Sequence, residues 1–210
     1  MSDAPHQRPD DRQPGGFDVL LTRADGAIDL VLGRRRAGWS KLDVSADGFW
    51  NSFLAIPACV PALLVVWLSH GRLVIGEGAR VSPAALVGSF ALIELVIWLV
   101  TIGMFMALAA PLRMADRLVP TVIAVNWASV PIAYAQAVPA AIALLIGWGP
   151  GVVFLMLVFE VLVLIAYWRL LAAALERNAR TVLGVFLATL VIGHALASAG
   201  QELLGLSAAG

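Results

Sequence analysis

The chain has 210 residues, of which 60% are hydrophobic and 13% are charged. Soluble domains carry about 25% charged residues, so this composition excludes an ordinary soluble globule and requires much of the apolar surface to face lipid. Fourteen basic and fourteen acidic residues give zero net charge, which argues against a nucleic-acid-binding surface. The single cysteine, Cys59, provides no disulfide framework.

The first 48 residues are more polar than the rest of the chain. Residues 1–16 are rich in proline, glycine and charge, and predict a disordered tail. Residues 17–48 carry apolar side chains at helical spacing, which predicts an amphipathic helix on the cytoplasmic membrane surface. A hairpin turning at Asp25-Gly26 is the alternative. Three consecutive cations are expected to contact anionic lipid headgroups: Arg34, Arg35 and Arg36.

Five apolar runs follow, each near or above the roughly 20 residues that cross a bilayer core. They occupy residues 50–69, 84–109, 119–146, 151–174 and 182–199. The sequence therefore predicts an all-α integral membrane bundle of five transmembrane helices, with a transmembrane domain over residues 49–199. Residues 200–210 are expected to form a short outer tail.

The distribution of basic residues predicts how the bundle is oriented. Twelve of the fourteen Lys and Arg residues fall in residues 1–49, in the 110–118 loop or in the 169–181 region, which would share one side of the membrane. Because basic loops stay inside, we expect a cytoplasmic N-terminus and an outer C-terminus in a cell inner membrane.

The third span has two features that constrain its packing. Only Gly147 to Pro150 separates it from the fourth span, which predicts a tight antiparallel helical hairpin. At about 1.5 Å per residue its 28 residues extend about 42 Å, so it must tilt, bend or protrude from a core about 30 Å thick. Pro131 is the expected position of a bend.

Three polar side chains are predicted to reach the same depth in the membrane. Glu94, Glu160 and Gln136 each lie nine or ten residues from the outer end of their span, which is about 13–15 Å at the helical rise. A carboxyl group at the midplane costs on the order of 2.5–3.5 kcal/mol, so such groups are functional candidates.

Further polar residues extend this candidate intramembrane site. Asn126 and Ser129 share an arc of about 80° with Gln136 on the third span, at 100° per residue. His194 on the fifth span is a candidate proton relay. The polar stripe is interpreted either as a proton or solute path or as hydrogen-bonding residues that hold neighbouring helices together.

No catalytic motif appears in the sequence. There is no P-loop, no GxGxxG after a strand, no HExxH and no Cys/His cluster with metal spacing. We therefore expect no enzyme activity, no cofactor and no metal.

Short motifs resemble those of a known family. The approach to the first span, Asp43-Val-Ser-Ala-Asp-Gly-Phe-Trp-Asn-Ser-Phe53, resembles bacterial proteins of the Yip1-like group, as do Asn126-Trp127 and the five helices after a polar N-terminus. The resemblance implies a multi-pass protein of bacterial inner membranes without assigned chemistry, and transfers no site residue.

Two functional hypotheses follow. The first is a non-enzymatic protein that organises the membrane or partner proteins through helix packing, with possible homo-oligomers, membrane protein partners and anionic lipids as its contacts. The alternative is a small transporter or proton-coupled channel that uses Glu94, Glu160 and Gln136.

Overall fold

A computed structural model describes residues 15–76 and 82–206. Within these residues the protein is all-helical, with 88% helix and no strand. The predicted tail, apart from Gly15 and Gly16, and the last four residues of the predicted outer tail lie outside the described residues. The helices are α1 Gly16–Val31, α2 Arg35–Lys41, α3 Ala46–Asn51, α4 Ala55–Gly76, α5 Pro83–Ala109, α6 Leu118–Ile146, α7 Pro150–Leu175 and α8 Ala179–Leu203.

Five helical segments are long and apolar enough to cross a membrane, which confirms the number predicted. They are Ala46–Gly76, Pro83–Ala109, Ala115–Ile146, Pro150–Leu175 and Ala179–Leu203, the first and third including short 3₁₀ turns. The first, third and fifth extend past their predicted spans because polar residues continue a helix without adding hydropathy, whereas the second and fourth match their predicted spans to within one residue at each end. Pro83 and Pro150 begin α5 and α7, where the missing N–H has no helical partner to lose.

The N-terminal segment is helical in the structure. Asp25-Gly26 lies inside α1, so the alternative hairpin turn does not form. Gly26 and Gly38 instead allow close packing of α2 on α1. A Cβ on Gly26 would lie 2.9 Å from the Lys41 Cβ, and a Cβ on Gly38 would lie 2.8 Å from the Gly26 carbonyl oxygen. The side of α1 that carries Ala27 and Leu30 is buried in the core against α6 and α7.

The acidic side of α1 is covered by α2. Lys41 of α2 donates hydrogen bonds to the Asp25 and Asp29 carboxylates, and Asp29 is only 4% exposed. The hydrogen bond from Lys41 lowers the pKa of Asp29 despite its burial, and the bonds to Asp25 and Asp29 raise the pKa of Lys41. These ion pairs attach α2 to α1 at neutral pH.

Helix α6 is the centre of the bundle. It packs most extensively against α4 and α7, and also contacts α1, α3 and α5. Its first half is enclosed, with Thr121 and Ile123 fully buried, whereas Leu145 and Ile146 at its other end are 84% and 75% exposed. The helix continues through Pro131 and Pro139.

The turn between α6 and α7 and the chain after α8 both have defined conformations. Helices α6 and α7 form the expected antiparallel hairpin, where Gly147 adopts a φ of 84° that favours glycine. The chain after α8 folds back onto α5, since Leu206 is buried in a cluster with Leu86 and Ile93. In the predicted outer tail, residues 200–203 therefore continue α8, and Leu206 packs against α5, while Leu203 and Leu204 are exposed.

Candidate functional site

Asn126 is the centre of a buried hydrogen-bond network. It is 1% exposed, and its Oδ1 accepts a hydrogen bond of 2.8 Å from Trp98 Nε1 of α5. Its Nδ2 donates to Ser52 Oγ, 2.9 Å away in the 3₁₀ turn before α4. The indole N–H only donates, so the amide orientation is fixed by its partner. Asn126 therefore joins three elements that are distant in sequence.

The middle of the polar stripe, at Ser129 and Ala133, faces α4. Ser129 donates to the Asn126 carbonyl oxygen, and its Oγ lies 3.6 Å from Cys59 Sγ of α4. Ala133, one turn further, is buried against Cys59 and Ala62. Small and hydroxyl side chains at this contact allow the helix backbones to approach closely. In this structure Asn126 and Ser129 hold helices together.

Gln136 and Glu160 form a second polar contact, between α6 and α7. Gln136 Nε2 donates to Glu160 Oε2 at 3.3 Å. Both side chains line a cleft between α4, α6 and α7, together with His70. Apart from these three residues the cleft is lined by apolar side chains and Pro139, including Met156 and Leu157.

The cleft opens on the outside of the bundle. Glu160 and His70 are exposed, and Gln136 is half-buried. His70 was missed in the sequence, because its proximity to Gln136 depends on the packing of α4 against α6, which sequence spacing does not reveal. The only indication in the sequence that His70 belongs to the site was its position at the end of the first apolar span.

Glu94 and His194 lie apart from this cleft. Glu94 is half-buried on α5, a helix that packs against α8, α4 and α6, and it is not among the residues that line the cleft. His194 is exposed on α8, which packs against α5 and α7. The structure thus joins Gln136 and Glu160, two of the three midplane candidates, whereas Glu94 does not line their cleft.

The three arginines predicted to contact lipid are exposed beside a fourth. Arg35 donates to the Ala172 carbonyl oxygen of α7 at 3.2 Å, and Arg169 of α7 donates through Nε to the Val31 carbonyl oxygen. Arg34 pairs with Asp29 at 3.4 Å, and Arg36 is exposed at the start of α2. The contacts of Arg169 and Arg35 dock the end of α1 and the start of α2 against α7.

The described residues hold no group of three or more His, Cys, Asp or Glu side chains that could bind a metal ion. Comparison of the chain with protein-family models, curated proteins and solved structures found no match. The contacts of the candidate residues are therefore the basis for a functional proposal.

Proposed function

We propose that this chain is a multi-pass protein of a bacterial inner membrane, with its N-terminus in the cytoplasm. The surface of α7 supports insertion, because only 6% of its most apolar window is buried within the bundle and its mean hydropathy is 2.4. Phe154, Leu157 and Leu162 are each more than half exposed there, which lipid tolerates and water does not. The positive-inside charge distribution and the Yip1-like resemblance support the orientation and the membrane.

We further propose that the protein is a non-enzymatic membrane organiser that associates through the α6–α7 hairpin. The observation that carries this proposal is the hydrogen-bonded pair of exposed Glu160 and half-buried Gln136 on an otherwise apolar face. Glu160 lies ten residues from the start of α7, about 15 Å along the helix and so near the middle of a 30 Å core. A polar pair facing hydrocarbon is costly, and a second helix that hydrogen-bonds to it removes that cost.

Cysteine cross-linking in native membranes tests this association. In a Cys59→Ala background, Leu157→Cys and Val161→Cys place thiols on the exposed face of α7 beside Glu160. We expect oxidation to produce a disulfide-linked dimer at one of these positions, because disulfides require Cβ atoms about 3.8 Å apart. Leu99→Cys, 56% exposed on α5, is the matched control and should stay monomeric.

Two substitutions at Glu160 refine the test. Glu160→Leu removes the polar contact and should reduce cross-linking about 5- to 30-fold, equivalent to about 1–2 kcal/mol for a polar contact between membrane helices. Glu160→Gln retains hydrogen bonding and should preserve the dimer. Equal cross-linking at positions 99, 157 and 161, or no effect of Glu160→Leu, would contradict the proposal.

The cleft between α4, α6 and α7 favours a second candidate function, a proton-coupled transporter. His70, Gln136 and Glu160 line it at two depths, an arrangement that supports proton transfer along the cleft. Glu94 lies elsewhere, so this transporter would use Glu160 and His70 without it. Proton flux that depends on Glu160 is the property that separates the two functions.

A further inference from the structure

An apolar groove lies on the surface where α1, α6 and α7 meet. It runs beside the arginine cluster, which consists of Arg34, Arg35, Arg36 and Arg169. Its α7 wall is Phe159, Leu162, Val163 and Ala166, which share one face at positions i, i+3, i+4 and i+7. The α6 wall has the same spacing, from Ala128 to Ala135, and the end of α1 closes one side. The volume is about 210 Å³. An apolar cavity of about 150 Å³ holds a benzene molecule, so the groove admits a hydrocarbon segment.

The α7 lining of the groove ends at Ala166, and the distance from Phe159 to Arg169, three residues beyond it, matches the thickness of one lipid leaflet. Phe159 and Arg169 are ten residues apart on α7, which corresponds to about 15 Å of helix. Half of a bilayer core about 30 Å thick is the same distance. If Phe159 lies near the midplane, Arg169 lies at the headgroup level on the cytoplasmic side.

Cationic groups are concentrated at the headgroup end. Arg169 lies over the α1–α2 turn, since a Cβ on Gly33 would approach its Nη2 to 3.2 Å. Arg35 and Arg169 each donate one bond to a backbone carbonyl oxygen, and a guanidinium has five N–H donors. The nearby carboxylates, Asp25 and Asp29, are already paired with Lys41 and Arg34. The cluster therefore keeps a net positive charge for an anionic ligand.

We propose that this groove binds one anionic glycerophospholipid, with an acyl chain between α6 and α7 and its phosphate at Arg169 and Arg35. The proposal rests on the membrane insertion proposed above. Guanidinium groups suit phosphate oxygens because several N–H groups can donate to them at once. A bound lipid would join the end of α1 to α7, and would make docking of the N-terminal helices depend on lipid charge.

A second groove provides an internal control. It lies along the N-terminal half of α1, between α4 and α6, and is lined by Phe17, Leu21, Ala58, Pro61 and Tyr134, with no charged side chain in its lining. Its volume is about 500 Å³. If volume alone determined binding, lipid would occupy the second, larger groove. If attraction between an anionic headgroup and the arginines determined it, lipid would occupy the first. The two grooves therefore separate a specific anionic site from general apolar binding.

Native mass spectrometry of the full chain released from nanodiscs tests the proposal. The nanodiscs contain phosphatidylcholine with increasing phosphatidylglycerol. We expect one phosphatidylglycerol to be retained per chain in preference to phosphatidylcholine. Arg169→Gln should weaken its retention about tenfold, as loss of a hydrogen bond between charged groups does. Ala166→Leu should block the groove and weaken retention to a similar degree.

Matched variants complete the experiment. Arg180→Gln removes an exposed cation on α8, and Ala58→Leu fills the second groove; both should retain phosphatidylglycerol as the unmodified chain does. Equal retention of the two lipids, or an effect of Arg180→Gln or Ala58→Leu as large as that of Arg169→Gln, would overturn the lipid site. Resistance of the chain to alkaline extraction from membranes reports insertion separately. A chain that is extracted contradicts the proposed function, and one that resists extraction but shows no preference contradicts the lipid site alone.

Discussion

Replacing Asn126 with leucine is expected to lower the free energy of unfolding by about 2–4 kcal/mol. The change leaves the Trp98 indole N–H without its acceptor, which costs about 1–3 kcal/mol for a buried donor, and also removes the bond to Ser52. At about 2–4 °C per kcal/mol, the midpoint of thermal unfolding in detergent should fall by about 5–15 °C.

A double-mutant cycle checks the cause of this loss. Adding Trp98→Phe to Asn126→Leu removes the unpaired donor, so the double variant should regain about 1 kcal/mol or more relative to Asn126→Leu. Asn51→Leu is the control, since Asn51 is exposed just before the same 3₁₀ turn, and should change stability by less than about 0.5 kcal/mol. If Asn126→Leu were as mild as the control, the network would not hold the three elements together.

Replacing Gly48 with alanine is expected to destabilise the start of the first long helix by about 1–3 kcal/mol. A Cβ at this position would lie 2.0 Å from the Asp43 carbonyl oxygen, a backbone atom that cannot rotate away. Asp43 is also held in place, because its carboxylate accepts a 3.0 Å hydrogen bond from the Ser45 N–H, and Ser45 caps α3. The hydrogen bonds from Ser45 hold the pKa of Asp43 below its ordinary value.

Thermal unfolding of a second glycine variant provides the comparison. Gly103 lies inside α5, and a Cβ there would meet no atom within 4 Å. Gly103→Ala should therefore stabilise the protein by about 0.5–1 kcal/mol through helix propensity alone. The two substitutions should shift the midpoint in opposite directions, and a shift of Gly48→Ala in the stabilising direction would contradict the packing at Asp43.

The number and approximate ends of the long helices could be predicted because they depend on local sequence. Apolar runs define the five helices, and Pro83, Gly147 and Pro150 mark the boundaries. The proximity of Gln136 to Glu160 could also be predicted, since a link of three residues fixes the register of α6 against α7. Helical rise and a short turn are enough to place both side chains at one depth.

The neighbours of each helix could not be predicted because they depend on contacts distant in sequence. Trp98 and Ser52 lie 28 and 74 residues from Asn126, and nothing in their spacing indicates that they meet. Glu94 has the same estimated depth as Glu160 but does not line the cleft, because depth alone does not determine which side chains a helix meets. The cover of α2 over the acidic side of α1 was missed for the same reason, as it depends on Gly26 and Gly38.

The most direct test of the central claim is a proton-flux measurement on the protein reconstituted into liposomes with an imposed pH gradient. A membrane organiser predicts that the unmodified chain and Glu160→Gln both dissipate the gradient no faster than empty liposomes, while both remain associated in the bilayer. Proton flux in the unmodified chain that Glu160→Gln abolishes would contradict this account and establish the cleft between α4, α6 and α7 as a transport path.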